Sequence, residues 1–159
     1  MPMLCLRLAT RFSSVGNLMD ALAKLRARRK CFVQAFDPKA IVSERHLLLA
    51  YENARAAFEE RRNVARNLET EVLVRAGGTR KISEALERVG VKDAGDVVVM
   101  GDCKRRELMG GLGAKEIKPT FEPDEREIVG RFGLSPKVTA TYSIEEGVLE
   151  MVALADVAD

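Results

Sequence analysis

The sequence predicts an α/β fold: a single domain over residues 1–159 in which a small mixed β-sheet of about four strands packs with several α-helices. Segments in which apolar and polar residues alternate, as in strands, lie between segments that carry apolar residues at helical spacing. The length suits one domain, and no internal repeat or long linker divides the chain. Nearly half of the residues are apolar and almost a third are charged, which is typical of a compact soluble protein.

The first part of the chain predicts strand, helix, strand and helix in that order. Residues 4–9 alternate like a strand with one buried face, and residues 15–29 carry apolar side chains at helical spacing. Residues 31–36 predict a short second strand, because the turn signal Asp-Pro follows them directly. Ser43 is suited to cap a long helix that runs to about Arg61.

The middle of the chain predicts a strand, a glycine turn, a helix and another strand. Residues 70–76 are predicted as the third strand, because alternate apolar residues share one face. Residues 82–89 have the pattern of an amphipathic helix that Gly90 is placed to end. Residues 96–100 are apolar on both faces, as in a central strand.

The last third predicts an irregular stretch and two helices. Residues 110–123 contain several glycines and two prolines and predict a mobile loop. Pro123 and the acidic residues after it predict a helix start that the helix dipole favours. Ser143 and Glu146 form a capping-box signature, which predicts a final helix with a stripe of apolar side chains.

The three cysteines, Cys5, Cys31 and Cys103, are odd in number and widely spaced. This pattern argues against a disulfide framework and, with His46 as the only histidine, against a zinc site. We therefore interpret the cysteines as small buried side chains in a reducing cytosol. The sequence shows neither a signal peptide nor an apolar run long enough to cross a bilayer, so we expect a cytoplasmic protein without membrane contact.

Signatures of catalysis are missing from the sequence. The GGLGA segment lacks the strand and helix that a dinucleotide-binding fingerprint requires, and no GxxxxGK[ST] phosphate loop occurs. His46 is expected to be structural or exposed rather than catalytic, and no pair of carboxylates stands out. We expect neither an enzyme nor a cofactor, a metal or a small-molecule substrate.

The segment EVLVRAGGTRKISEAL, residues 71–86, is the candidate for anion binding. The first turn of a helix exposes unpaired N–H groups, Gly77 and Gly78 permit close approach, and Thr79 is suited to cap the helix. Arg80 and Lys81 add positive charge. The alternative is an ordinary turn with solvated cations, and a nucleotide-binding enzyme that uses this turn is a third, more distant reading.

Three segments carry a resemblance to a known family: DPKAIVSERHLLLAYENARAAF, then RNLETEVLVRAGGTRKISEALERVGV, then DVVVM. Their order and spacing resemble the small kinase-associated accessory subunit of the KEOPS complex, the TPRKB-like family. The motif ISEAL followed by G-V is the most specific piece. The C-terminal third agrees more loosely, through an acidic helix (DEREIVGRF), a hydroxyl-rich loop (LSPKVTATYS) and a terminal aliphatic helix.

The resemblance implies a non-catalytic subunit of a tRNA-modification complex that forms threonylcarbamoyl-adenosine. Members bind the kinase/ATPase subunit of KEOPS and recruit tRNA through its single-stranded 3′ CCA end. A pure protein–protein adaptor that regulates the kinase without touching RNA is the alternative. The residues that we expect to contact RNA are Arg66, Arg75, Gly78, Thr79, Arg80, Lys81 and Ile82.

Two further surfaces are candidates under the same resemblance. The segment LRARRK, residues 25–30, is a second candidate for contact with the tRNA backbone. A kinase contact needs an exposed apolar patch, which we expect on the final helix or near residues 117–121. The candidate side chains for that contact are Ile117, Phe121, Leu149 and Val152.

Overall fold

A computed structural model describes residues 2–156 and divides the chain into two compact units. The sheet unit combines Met1–Pro38 with Val91–Phe121, and the helical unit combines Lys39–Gly90 with Glu122–Asp159. The α/β class is confirmed, because the described residues contain both a β-sheet and several helices. The single domain over residues 1–159 stays a prediction.

The sheet has four strands within the described residues, as predicted, but all of its pairings are antiparallel rather than mixed. The strand β3 (Asp96–Gly101) runs antiparallel to both of its neighbours, β1 (Leu4–Ala9) and β2 (Val33–Phe36). Those two strands therefore run in the same direction on either side of β3, and the helical segment 15–29 makes the crossover between them. The register places Leu4 opposite Gly101 across the central pair. In spatial order the strands are β2 (Val33–Phe36), β3 (Asp96–Gly101), β1 (Leu4–Ala9) and β4 (Lys115–Glu116).

Two helices belong to the sheet unit, α1 (Val15–Arg29) and α5 (Arg105–Leu112). Ser14 caps α1 by accepting a hydrogen bond from the backbone N–H of Asn17 (3.0 Å). Alternate residues of the strands pack with apolar residues of both helices, and this set forms the core of the unit. Its buried members include Leu6, Leu8, Leu18, Leu22, Val33, Val97, Val99, Leu108 and Leu112.

The irregular loop predicted over residues 110–123 is wrong in its first half. Residues 110–112 complete α5, and Gly113 ends the helix in the left-handed conformation (φ +54°). Lys115 and Glu116 then pair with β1 as the edge strand. The glycines of this segment predict a loop, but two of them, Gly110 and Gly111, lie in the last turn of α5.

The helical unit has six helices within the described residues. Ser43 caps α2 (Glu44–Glu59), and Ser143 and Glu146 form the predicted capping box at the start of α8 (Ile144–Leu154). The helix start predicted at Pro123 and the acidic residues after it is present, and Asp124 is the cap of α6 (Glu125–Phe132). The hydroxyl-rich loop expected over residues 134–143 (LSPKVTATYS) is wrong, because Ser135 caps a short helix over Pro136–Thr141. The helices are α2 (Glu44–Glu59), α3 (Leu68–Ala76), α4 (Ile82–Val89), α6 (Glu125–Phe132), α7 (Pro136–Thr141) and α8 (Ile144–Leu154).

The third strand predicted over residues 70–76 is wrong, because these residues form α3. Asn67 caps the helix by accepting a hydrogen bond from the N–H of Thr70 (2.8 Å), and two glutamates lie in the first turn, where the dipole favours them. Residues 71–76 are all buried, so the alternation of their apolar residues does not separate a buried face from an exposed one and misleads as a strand signal. The anion-binding candidate is therefore a helix–turn–helix segment rather than a strand–turn–helix segment.

The interpretation of all three cysteines as unlinked side chains is also wrong, because Cys31 and Cys103 form a disulfide. The two residues are 72 positions apart, but pairing of β2 with β3 brings their backbones together, with Val33 opposite Gly101. Spacing along the chain carries no information on such a contact. Together with Asp102 these cysteines also form a cluster of potential metal ligands, but in the disulfide the two sulfur atoms are bonded to each other. None of the described helices is long and apolar enough to cross a membrane.

Candidate functional site

The turn between α3 and α4 is built from Gly77, Gly78 and Thr79. Gly78 adopts a left-handed backbone (φ +63°), which is where glycine is favoured. Thr79 does not cap α4 as the sequence predicted, because the cap position belongs to Lys81. Instead the Thr79 hydroxyl accepts a hydrogen bond from the Lys81 N–H (3.2 Å), which stabilises the turn itself.

The two glycines are in contact with protein atoms. A Cβ on Gly77 would lie 2.9 Å from the Cα of Ala85 in α4. A Cβ on Gly78 would lie 3.2 Å from the Cβ of Met151 in α8. The space beside the two glycines is therefore occupied by α4 and α8 of the same unit, and packing is sufficient to explain why both positions are glycine.

The exposed part of the site begins at Arg80. The side chains of Arg80 and Lys81 are exposed and make no ion pair or hydrogen bond with the described residues. No side chain caps α4, so the positive end of its dipole faces the same region as these two cations. Ile82 and Leu86 lie on one face of α4 with 38% and 48% of their surfaces exposed. The arrangement offers positive charge and aliphatic surface side by side.

Arg75 does not belong to this surface, because its side chain is only 1% exposed. Its Nε donates to Oε2 of Glu71 (2.8 Å), and its guanidinium also pairs with Asp156. The other oxygen of Glu71 accepts the N–H groups of Val64 (2.8 Å) and Ala65 (2.7 Å). The ion pair of Glu71 and Arg75 thus holds the loop before α3 in place, and the charge of Arg75 is paired within the protein.

Asp156 completes this network from the end of α8. Burial alone would raise the pKa of its carboxyl group, but hydrogen bonds from Arg75 and Arg62, with their positive charges, outweigh burial and lower the pKa. Asp156 therefore stays ionised at neutral pH. The network fixes the end of α8 to α3 and to the loop that follows α2.

Arg66 is exposed and without a partner among the described residues, but it precedes α3, whereas the glycine turn follows α3. A helix of this length separates the two positions by about 13 Å. The structure therefore groups Arg80, Lys81 and Ile82 with Gly78 and Thr79 and sets Arg66 apart from them.

Arg88 is a residue of this site that the sequence analysis missed. Its Nη1 donates to the carbonyl oxygen of Gly77 (2.8 Å), and its Nη2 pairs with Glu84 (2.6 Å). The guanidinium also lies over the ring of Phe132, 5.6 Å from its centre. Arg88 thus closes the turn by satisfying a carbonyl at the end of α3. The available signal was a cation in the last turn of α4, which is too common to single it out.

His46 is fully buried in the helical unit, so it is structural rather than exposed. The N–H of Val42 donates to its Nδ1 (3.2 Å), so the ring proton is on Nε2, which donates to the carbonyl oxygen of Ala76 (2.8 Å). Burial lowers the pKa of His46 to about 4, although the bond to Ala76 and the charge of Glu145 act in the opposite direction. A neutral ring therefore ties the start of α2 to the end of α3.

The four candidates for the kinase contact belong to different units. Ile117 and Phe121 are half-buried in the sheet unit. In the helical unit Leu149 is half-buried, but Val152 is 1% exposed and belongs to the core. The face of α8 that is accessible instead carries Leu154, which is 49% exposed.

An apolar groove of about 340 Å³ lies beside Leu154 in the helical unit. Residues of α7 and α8 line it together with the loop that joins α6 to α7 and with Gly78 of the glycine turn, and the acidic Glu150 is among the lining residues. Tyr142, at the end of α7, is 45% exposed. This part of the unit therefore combines exposed apolar side chains with a concave surface, which is typical of sites that receive another protein. The apolar lining residues are Leu134, Val138, Met151, Leu154 and Ala155.

Comparison with known proteins gives two matches. Residues 12–156 match the model of a family described as "Kinase binding protein CGI-121". The chain is also 29% identical, over 127 residues, to the "Regulatory protein Cgi121" of Methanocaldococcus jannaschii. That match covers 77% of this chain and 82% of the archaeal protein.

Proposed function

The chain belongs to the family of kinase-binding proteins described as CGI-121, and on that premise we propose that it is a non-catalytic subunit of the KEOPS complex. In this proposal it binds the kinase/ATPase subunit of the complex and recruits tRNA, in the cytoplasm, for threonylcarbamoyl-adenosine formation. The match of residues 12–156 is the observation that carries the proposal, because it spans both units rather than one motif. The regulatory name of the archaeal relative supports a role without catalysis.

For the kinase contact we propose the apolar groove beside Leu154. Leu149 is half-buried on α8 and does not line the groove, and Val152 is buried, so neither is part of the proposed contact. Ile117 and Phe121 remain a separate candidate in the sheet unit. The acidic residues of α8 favour a partner surface with basic residues at its rim.

The kinase contact can be tested with a charge placed in the groove. Leu154→Glu should weaken binding to the KEOPS kinase subunit at least about tenfold, because a carboxylate would lose water in the interface. Val15→Glu is the matched control, since Val15 is a similarly exposed apolar residue at the start of α1. Titration calorimetry with the purified partner measures both. Equal affinities for the two variants would exclude the groove as the contact.

For tRNA we propose that Arg80 and Lys81 contact phosphates of the 3′ CCA end while Ile82 packs against an unstacked base. The support is the exposure of both cations, their lack of a partner and the adjacent aliphatic pair on α4. Gly78 and Thr79 shape the turn behind them. Arg75 is left out, because it is buried in the network with Glu71.

The adaptor alternative, without RNA contact, is favoured by the packing of the two glycines. Because Gly77 and Gly78 contact Ala85 and Met151, the turn needs no anion to explain its glycines. The exposed cations are then ordinary solvated side chains. A single binding experiment separates the two functions.

That experiment compares intact tRNA with tRNA trimmed of its CCA end. The unsubstituted chain should bind intact tRNA more tightly, and Arg80→Glu with Lys81→Glu should abolish this preference and lower the salt slope by about 1.4, as expected for two contacts to a single strand. The control is Arg45→Glu with Arg126→Glu, which changes the net charge equally at two exposed cations elsewhere in the unit. If the unsubstituted chain binds neither tRNA, the adaptor reading stands; equal binding of both would exclude the contact with the CCA end. Phosphate release from ATP by the purified chain alone would contradict the non-catalytic role.

A further inference from the structure

The sheet unit carries a second group of cations, which folding assembles from two distant segments. Arg28, Arg29 and Lys30 lie at the end of α1, and Lys104, Arg105 and Arg106 lie at the start of α5. The disulfide between Cys31 and Cys103 joins the residues directly adjacent to these two segments. We call these six side chains the cationic surface; all six are exposed.

Two adjoining grooves give this surface its shape. One has a volume of about 450 Å³ and extends from Arg28 and Lys104 to Arg106. The other has a volume of about 470 Å³ and extends from Lys30 to the disulfide. Arg28, Arg29 and Lys104 line both grooves, as does Glu107, and Asp102 lines the second. Cations therefore outnumber carboxylates along the depression.

Most of this charge is not neutralised within the described residues. Arg29 lies 3.5 Å from a carboxylate oxygen of Glu107, and Arg105 pairs with Glu116. The other four members make no ion pair or hydrogen bond through their side chains with the part of the chain that the structure describes. They are Arg28, Lys30, Lys104 and Arg106.

Helix stability explains only half of the surface. Cations at the end of α1 complement the negative end of its dipole. Lys104, Arg105 and Arg106 lie at the positive end of α5, which no side chain caps, and Glu107 is the single acidic residue of its first turn. In α2, α3, α6 and α8 the same position carries a serine, asparagine or aspartate cap followed by acidic residues. An arrangement that opposes local stability is expected where a surface serves binding.

The chemistry of the surface fits phosphates better than a membrane or a base. None of the large apolar side chains exposed in the described residues lines either groove, so the surface has nothing to insert into a bilayer. No exposed aromatic ring is available there for stacking of a base. Arginine forks and lysine ammonium groups along a depression match successive phosphates of a backbone.

We propose that the cationic surface binds the phosphodiester backbone of a nucleic acid, as a contact separate from the glycine turn. The contact is made without recognition of bases. The cations of both segments take part, which requires the fold of the sheet unit that brings them together. It does not require a free CCA end.

The test uses a blunt-ended RNA duplex, which has no single-stranded end for the turn to bind. Arg28→Glu with Arg106→Glu removes one unpartnered cation from each segment. We expect affinity measured by fluorescence anisotropy to fall by about tenfold or more, and the salt slope to decrease by about 2. Arg45→Glu with Arg126→Glu makes the same change in net charge and should leave duplex binding nearly unchanged. Melting temperatures of both double variants establish that they are folded.

Three outcomes would overturn the proposal. The first is equal weakening by both double variants, because net charge alone would then govern binding. The second is duplex binding by the unsubstituted chain that is absent or insensitive to salt, which leaves the CCA proposal intact if trimmed tRNA still binds less well. The third is binding to phosphatidylserine vesicles as tight as to the duplex and lost in the same variant, which assigns the surface to membranes. Arg80→Glu with Lys81→Glu should not affect the duplex, so each proposal can fail alone.

Discussion

At the scale of single residues, buried polar side chains organise the helical unit. Glu71 and Arg75 form an ion pair with almost no exposure, and each has further hydrogen-bond partners. An ion pair in such surroundings is retained only when its remaining donors and acceptors are satisfied. The network explains why a cation that the sequence placed with the RNA contacts is not available for them.

His46 gives a prediction on the pH dependence of stability. Its pKa is about 4 in the folded chain and about 6.5 when exposed, so the unfolded chain binds the extra proton between these values. The contribution of His46 to the free energy of unfolding is therefore constant above about pH 6.5 and falls as the pH decreases toward 4. Between pH 7.5 and pH 5 the loss should be about 2 kcal/mol, before most carboxylates titrate.

The measurement needs no substitution, because His46 is the only histidine. Its ring signals in an NMR titration should move with a midpoint near pH 4, unless acid unfolding comes first. Urea unfolding at a series of pH values measures the loss of stability. A midpoint near pH 6.5 in the folded protein would show that the ring is solvated and would contradict the structure.

At the scale of elements, most helices and strands could be predicted where local signals were present. Ser43 and the capping box at Ser143 determine helix starts by their own hydrogen bonds, and the prediction of both is confirmed. The sequence of α3 predicts a strand, since residues 71–76 are buried on all sides and give no helical periodicity to oppose the alternation of their apolar residues. Its cap at Asn67 was a usable signal, because asparagine followed by acidic residues is typical of a helix start.

The candidate site likewise has features that the sequence could predict and features that it could not. The exposure of Arg80 and Lys81 agrees with the expectation that the turn presents cations, and their contact with RNA stays a prediction. The burial of Arg75 and the role of Arg88 depend on partners that are distant in the sequence, such as Asp156 and Phe132. Such contacts follow from tertiary packing and leave no local pattern.

The packing of the glycine turn leads to a second prediction. Gly77→Ala should lower the free energy of unfolding by about 2 kcal/mol, because the new Cβ would lie 2.9 Å from the backbone of Ala85 and α4 would have to shift. Gly130→Ala is the control. That glycine lies in α6 with open space around it, so alanine there should stabilise the protein by about 0.5–1 kcal/mol.

Urea unfolding of the two variants measures both changes. Opposite signs are expected, since the helix propensity of alanine dominates at residue 130 and steric contact dominates at residue 77. A gain in stability for Gly77→Ala would mean that the turn has room for a Cβ. Packing would then no longer explain the glycine at residue 77, and anion binding would again be the better explanation.

At the scale of the whole molecule, charge is unevenly distributed along the chain. The unpartnered cations of the sheet unit and those of the glycine turn lie in different units, while the last helix carries acidic side chains beside its apolar groove. The net charge of +2 hides this distribution. A bridging subunit requires surfaces for nucleic acid and for a kinase; the glycine turn adjoins the apolar groove through Gly78, and the substitutions proposed above address each surface by itself.

The disulfide also acts at this scale, because the loop that it closes spans 72 positions and includes residues 39–90 of the helical unit. Closing such a loop restricts the unfolded chain, and the loop-entropy relation predicts about 4 kcal/mol of stability. Replacing both Cys31 and Cys103 by serine should therefore lower the free energy of unfolding by about 2–4 kcal/mol. Guanidinium unfolding, with and without a reductant, measures the change.

Cys5→Ser is the matched control, since Cys5 lies outside the disulfide on β1. Its unfolding midpoint should still decrease when the reductant is added, as in the unsubstituted protein, whereas the double variant should not respond. The reductant should also leave the sheet unit folded under native conditions, because β2 remains paired with β3 through the backbone. A double variant as stable as the parent, in a protein whose mass confirms the disulfide, would show that the unfolded chain is already compact around this contact and gains nothing from the covalent bond.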